Sequence, residues 1–359
     1  MTRVAVMGGG SWGTAFAQVL CDAGHDVVLW ARDAVIVDAI NARHENPIYH
    51  PGVILPRGLS AVRRPQQALR GADLVVLAVP VQTMRASLTE WGRDIPSDAL
   101  VVSLAKGIED GTDLRVSQLV HEVADVAPER IAALSGPNLA GEIILREPAA
   151  TTVACPDEAN ARHLQSICTT RYFRAFYTTD IVGVEIAGAT KNVIALASGI
   201  VAGMELGENA QAAMATRGLS EMSKLGTAMG ADPITFLGLA GVGDLVATCA
   251  SPLSRNRTFG VHLGKGRSVD EVIRTSRLTC EAVKSCKPIV ELARAHGVEM
   301  PISELVTRVV HDGMPASELV RRFMSDDADG GAEQSARGFL ALARARIAAR
   351  RSRKDAHER

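Results

Sequence analysis

One lysine in the second half of the chain stands almost alone. From Ile186 to Met204, Lys191 is the only charged residue in nineteen. Its neighbours Ala187, Gly188, Ala189, Val193, Ile194, Ala195 and Leu196 are small or apolar, the composition of a central, closely packed helix. Burying an ammonium without partners costs several kcal/mol, on the order of what unfolds a domain. A lysine kept there needs a partner or a task. Burial, or a second ammonium such as Lys106, lowers its pKa toward the range useful for proton transfer. The alternative is a helix-surface lysine whose stem lies along apolar neighbours.

A second constellation follows at residues 240–257. It opens on Ala240-Gly241-Val242-Gly243-Asp244 and closes on Ser254-Arg255-Asn256-Arg257. A guanidinium presents a planar fork of donors that matches a phosphate. The Asn256 amide and the Ser254 hydroxyl suit the remaining oxygens. Asp244 is repelled by a phosphate, so its carboxylate suits a neutral hydroxyl or the orientation of a lysine. Taken by itself, the segment reads equally well as a polar surface loop.

The amino terminus carries a third pattern. An apolar run, Arg3-Val4-Ala5-Val6-Met7, leads into Gly8-Gly9-Gly10-Ser11-Trp12-Gly13. In this strand–turn–helix context Gly8 allows the tight turn, Gly10 lets the backbone approach a pyrophosphate, and Gly13 lets the helix pack on the strand. The helix N-terminus offers free N–H groups to the anion. The next strand, Asp26–Trp30, ends in Ala31-Arg32-Asp33. Arg32 suits the 2′-phosphate of NADP, whereas Asp33 would serve the ribose hydroxyl of NAD. NADP is favoured and NAD stays open.

The elements that must place these groups are legible in the hydrophobic pattern. Continuous apolar runs at 72–79 and 100–104 and shorter ones at 131–134, 151–154 and 175–177 alternate with helical segments, as in a parallel sheet covered on both faces. After about residue 180 helical periodicity takes over, at 181–205, 209–229, 269–276, 281–296, 302–312 and 316–324. The expected fold is an α/β N-terminal domain, a Rossmann-type doubly wound parallel sheet, followed by an all-α C-terminal domain. The expected division is 1–179, 180–325 and a flexible basic tail at 326–359, with a helix cap near Asp180. Ligands in such sheets sit beyond the carboxyl ends of strands. That brings in Val79-Pro80, Lys106 after the strand at 100–104, and the turn of Gly136, Pro137 and Asn138 after the strand at 131–134.

Composition limits the alternatives. With 359 residues, 47% of them hydrophobic, two domains with a sizeable core can form. The six cysteines show no C-x-x-C pair and the nine histidines no ligand spacing, so free thiols, a reducing compartment and no metal are expected. The first strand begins at Arg3, leaving no room for a signal peptide, and a cytoplasmic location is expected. Residues 336–359 hold eight Arg/Lys and two Asp/Glu, which leaves the rest of the chain acidic. Local geometry rather than global steering must therefore hold an anion. The tail reads as a solvated appendage, with no nucleic acid expected. Glu185, Lys191 and Asn192 interrupt the apolar segment, so membrane insertion is not expected. A homodimer is.

Together these motifs carry a resemblance. Gly8–Ala15, Ala105-Lys106-Gly107-Ile108-Glu109, Ser135-Gly136-Pro137-Asn138, Lys191–Ala195, Asn209–Met222, Gly243–Cys249 and Ser254–Arg257 occur in one order. The chain resembles bacterial NAD(P)-dependent glycerol-3-phosphate dehydrogenases from about residue 3 to 320. The resemblance implies interconversion of dihydroxyacetone phosphate and sn-glycerol 3-phosphate, supplying the phospholipid backbone. It puts the proton-transfer lysine on Lys191, with Lys106 and Asp244 as catalytic partners. It places substrate contacts on Lys106, Gly136, Asn138, Lys191, Asp244, Ser254, Arg255 and Asn256. Cofactor contacts fall on Ser11, Trp12, Arg32, Lys106, Ala140, Arg255, Thr279 and Glu281. Two departures stand out: Asn138 where Ser or Thr is commoner, and Thr279–Val283 where Val-x-Glu-Gly-Val is usual. Another two-domain dehydrogenase, of the 6-phosphogluconate or ketopantoate type, and a non-enzymatic NADPH sensor are the competing readings.

Overall fold

The computed structural model describes residues 1–275 and 280–325. Its strands are β1 (Arg3–Met7), β2 (Asp26–Trp30), β3 (Ser60–Val62), β4 (Leu74–Leu77), β5 (Leu100–Ser103), β6 (Ile131–Ser135), β7 (Ala149–Ala154) and β8 (Phe173–Thr178). The first helices are α1 (Ser11–Asp22), α2 (Ala34–Arg43), α3 (Pro65–Leu69), α4 (Val81–Trp91), α5 (Val116–Ala124), α6 (Ala140–Ile143) and α7 (Glu158–Cys168). The later ones are α8 (Ile181–Gly203), α9 (Glu208–Ala228), α10 (Asp244–Ala250), α11 (Arg255–Gly264), α12 (Val269–Thr275), α13 (Glu281–Ala295), α14 (Pro301–His311) and α15 (Ala316–Ser325).

The strands form one sheet in the order β3-β2-β1-β4-β5-β6-β7-β8. Alternate residues of each strand point to opposite faces. Val4 and Val6 join Phe16, Leu20 and Leu29 in the core under α1 and α2. Ala5 and Met7 join Val75, Leu77 and Trp91 on the other face, under α4 and α5. Both faces are covered, which is why these strands read as unbroken apolar runs.

All pairs are parallel except β6 with β7, which run antiparallel. The sheet is thus parallel, as expected, with one local reversal. The link between them contains only the four-residue α6, too little for the crossover helix that a parallel return requires. The short β3 went unread in the sequence; it pairs Ala61 with Leu29 on the edge.

The helical half wraps α8. Asp180 caps it by accepting from Gly183 N at 3.0 Å, and Asp180 also binds Asp232 N and Thr235 Oγ1. By length and composition α8 could cross a membrane, yet nearly all of it is buried inside the fold. Its packing against α11 is backbone to backbone. A Cβ on Gly199 would lie 2.1 Å from Arg257 O, and one on Gly260 would lie 2.0 Å from Leu196 O. Glycine is therefore required at this crossing, and it draws α11 onto the C-terminal third of α8.

Candidate active site

Three glycines of the first loop meet different surroundings. A Cβ on Gly8 would strike Ala78 O at 2.5 Å, and one on Gly13 would strike Gly8 O at 2.0 Å. Gly10 instead faces open space, with nothing within 4 Å of the position its Cβ would take. It is the N-cap of α1 and carries no side chain to satisfy the first-turn N–H groups. An open cradle of free donors at a helix start fits a pyrophosphate. The Trp12 indole packs on Phe16, ring centroids 5.5 Å apart.

Two residues that sequence reasoning missed brace this loop. Asn46 Nδ2 donates to Gly9 O at 3.1 Å and to Thr14 Oγ1 at 2.9 Å. The His50 ring lies 2.9 Å from Ser11 O through Nε2. Burial holds the His50 pKa below its usual value, which favours the neutral ring. Both come from the segment after α2, and no local pattern marks them.

The lysines meet where β5, β6, α8 and α10 converge. Lys191 Nζ donates to Asp244 Oδ1 at 3.0 Å and to Thr248 Oγ1 at 2.7 Å. Lys106 Nζ donates to Asp244 Oδ2 at 2.6 Å and to Gly136 O at 3.1 Å. Gly188 makes the room: a Cβ there would meet Ser135 Oγ at 3.1 Å and Lys106 Cγ at 3.4 Å. Lys191 and Asp244 are buried; the Lys106 side chain keeps 15% exposure. Burial, reinforced by the Lys191 charge, pulls Lys106 down to about 8, against the opposing pull of Asp244. Burial works against the charge on Asp244, but the two ammonium groups hold its pKa below the usual carboxylate range.

Ser254-Arg255-Asn256 is no surface loop. Segments 244–250 and 255–264, absent from the helices read in sequence, are α10 and α11. Ser254 is the N-cap of α11 and accepts from Arg257 N at 3.2 Å. Arg255 is exposed and Asn256 buried. Asn256 Nδ2 donates to Asn192 Oδ1 at 2.8 Å, and Asn256 Oδ1 accepts from Ala282 N at 3.1 Å. Asn192 Nδ2 in turn donates to Lys106 O at 3.3 Å. One chain of amides thus ties Asn256 to the Lys106 loop.

The other expected residues among those described come from several elements. Asn138 Nδ2 donates to Ala150 O at 3.3 Å, and its Oδ1 accepts from Thr151 Oγ1 at 2.9 Å, so β7 orients the amide. Ala140 opens α6, and Glu281 opens α13. Burial raises the Glu281 pKa against the pull of Arg255. Its Oε2 has no hydrogen-bond partner among the described residues. Arg32 is exposed past the end of β2, while Asp33 caps α2 by accepting from Val35 N at 2.8 Å. Thr279 lies outside the described residues. Cys249 is a packing group, its thiol pushed up to about 11 by burial.

The fold and the site define a class: a dinucleotide-dependent dehydrogenase of two-part build. Comparison with known proteins narrows it. The family model described as NAD-dependent glycerol-3-phosphate dehydrogenase N-terminus matches residues 3–161, and its C-terminus counterpart matches 180–321. The chain is 54% identical over 326 residues to glycerol-3-phosphate dehydrogenase [NAD(P)+] of Streptomyces avermitilis, covering 91% of this chain and 97% of the relative. Against the Thermobifida fusca protein of the same name it is 55% identical over 329 residues, covering 91% and 98%. The crystal structure of glycerol-3-phosphate dehydrogenase from Coxiella burnetii superposes with a TM-score of 0.85 at 33% identity, covering 90% of this chain and 99% of that one. The chain belongs to the NAD-dependent glycerol-3-phosphate dehydrogenase family.

Proposed function

We propose that the protein reduces dihydroxyacetone phosphate to sn-glycerol 3-phosphate reversibly, with NADPH favoured over NADH, and so supplies the glycerophospholipid backbone. The observation that carries this reading is the single carboxylate of Asp244 shared by Lys191 and Lys106. Family membership favours it over a hydroxy-acid dehydrogenase, and an intact lysine pair argues against a sensor without catalysis.

Residues 1–179 hold the dinucleotide through Gly8, Gly10, Ser11, Trp12, Gly13, Arg32 and Ala140. Residues 180–325 bring the lysine and the phosphate-binding residues, and the family resemblance assigns further cofactor contacts to Arg255, Thr279 and Glu281. When bound, the nicotinamide supplies a hydride to the substrate's carbonyl carbon. Lys191 gives its proton to the carbonyl oxygen and takes it back in the reverse direction. Positioned proton transfer of this kind is typically worth roughly 10²–10⁴-fold. Lys106 stabilises the charge that develops on that oxygen, and Asp244 and Thr248 hold Lys191 in line. Gly136 and Asn138 border the substrate. Ser254, Arg255 and Asn256 hold its phosphate, and that remote binding energy orients the reacting carbon. The protein acts on a free metabolite in the cytoplasm, as a homodimer, without nucleic acid or membrane insertion.

Absorbance at 340 nm tests this reading. NADPH oxidation that requires dihydroxyacetone phosphate supports it; no oxidation by protein that binds NADPH overturns it.

A further inference from the structure

We propose that Arg63 and Arg64, which leave the edge strand β3, join Arg32 in a subsite for the 2′-phosphate of the adenosine ribose, and so set the preference for the phosphorylated dinucleotide. The inference rests on the dinucleotide-binding reading above.

The juxtaposition follows from strand register. Trp30 on β2 pairs with Val62 on β3 in parallel, and Ala31 N donates to Val62 O at 3.1 Å. Arg32 and the Arg63-Arg64 pair therefore leave neighbouring strands at the same end of the sheet, beyond the strand that approaches the ribose in this fold. The Trp30 indole fixes the exit of β3, donating from Nε1 to Arg63 O at 3.0 Å. All three arginines are exposed, and they line one cleft of about 680 Å³ together with Trp30, Gln67 and Glu90.

The charge pattern is that of an anion site. Among the described residues no carboxylate forms an ion pair with any of the three guanidiniums. Asp33, the acid that could bind an unphosphorylated ribose, is committed to capping α2. Glu90 is the one acid on the cleft wall. Three unpaired guanidiniums repel one another, and a dianionic phosphate relieves that repulsion through forked hydrogen bonds.

Calorimetric titration of the full-length protein with adenosine 2′,5′-bisphosphate and with 5′-AMP tests the subsite without turnover. The expected result is bisphosphate binding at least about tenfold tighter than 5′-AMP in the parent protein. Arg63→Ala and Arg64→Ala should each cut that ratio at least about threefold and leave the 5′-AMP affinity unchanged. Both side chains are exposed, so the variants should fold, and a melting temperature like the parent's verifies it. Equal affinity for the two nucleotides in the parent, or equal weakening of both in the variants, overturns the proposal. Oxidation of NADH by dihydroxyacetone phosphate in the parent protein reports separately on the enzyme reading.

Discussion

Lys106 and Lys191 bind opposite oxygens of Asp244, at 2.6 Å and 3.0 Å. The pair comes from opposite halves of the chain: Lys106 follows a strand of the sheet, and Lys191 sits inside the central helix. Two ammoniums against one carboxylate leave a net positive charge in a buried place, which suits a substrate whose oxygen becomes negative during reaction.

Removing Lys191 should cost catalysis and spare cofactor binding. Lys191→Ala should lower kcat by roughly 10²–10⁴-fold, the usual worth of positioned proton transfer. Titration of NADPH fluorescence should give a Kd close to the parent's. Turnover like the parent's would remove Lys191 from the mechanism.

The reaction should lose rate in alkali. Burial brings Lys106 down to about 8, so raising the pH through that value strips the ammonium that stabilises the oxyanion. The kcat/KM for carbonyl reduction should therefore fall above about pH 8. In Asp244→Asn the supporting carboxylate is gone, the Lys106 pKa drops further, and the falling limb should move to lower pH. A limb that stays in place in that variant contradicts the arrangement.

The clamp should act through the phosphate. Arg255→Ala should raise the KM for dihydroxyacetone phosphate at least about tenfold, the scale of a lost charge-assisted pair. The advantage of this substrate over dihydroxyacetone should shrink with it. Competition assays with both substrates measure that ratio directly, and an unchanged ratio would refute the role.

Arg115 and Glu185 join the halves away from the chemistry. Glu185 on α8 pairs with Arg115 before α5 and also accepts from Ser117 N at 2.7 Å and Ser117 Oγ at 2.6 Å. Breaking a buried, hydrogen-bonded pair by removing one partner typically costs about 3–5 kcal/mol. Arg115→Ala should lower stability to denaturant by that order and leave KM for both substrates near the parent's at 25 °C. Unchanged stability would mean that the pair holds nothing.

The parts of the fold legible in sequence were those with strong local signals. The glycine loop could be read because strand, turn and helix follow one another directly. Lys191 stood out because a charge inside an apolar helix is costly, whereas its contacts with Asp244 and Thr248 are tertiary and carry no local signal. Helices α10 and α11 were illegible because they are short and separated by Ser251-Pro252-Leu253-Ser254, which reads as a break. Without them the clamp looked like a loop, and the placement of Ser254 at a helix start was hidden. The β6–β7 reversal and the braces Asn46 and His50 depend on tertiary contacts with no periodic trace. The pairing of Arg63 and Arg64 with Arg32 depends on β3, a three-residue strand too brief to register as one.

The most direct test of the central claim is absorbance at 340 nm with purified protein and NADPH or NADH, given dihydroxyacetone phosphate or dihydroxyacetone. The account predicts a fall with the phosphorylated substrate, faster with NADPH, and almost none with dihydroxyacetone. No fall with either cofactor, in protein that binds NADPH, would contradict it.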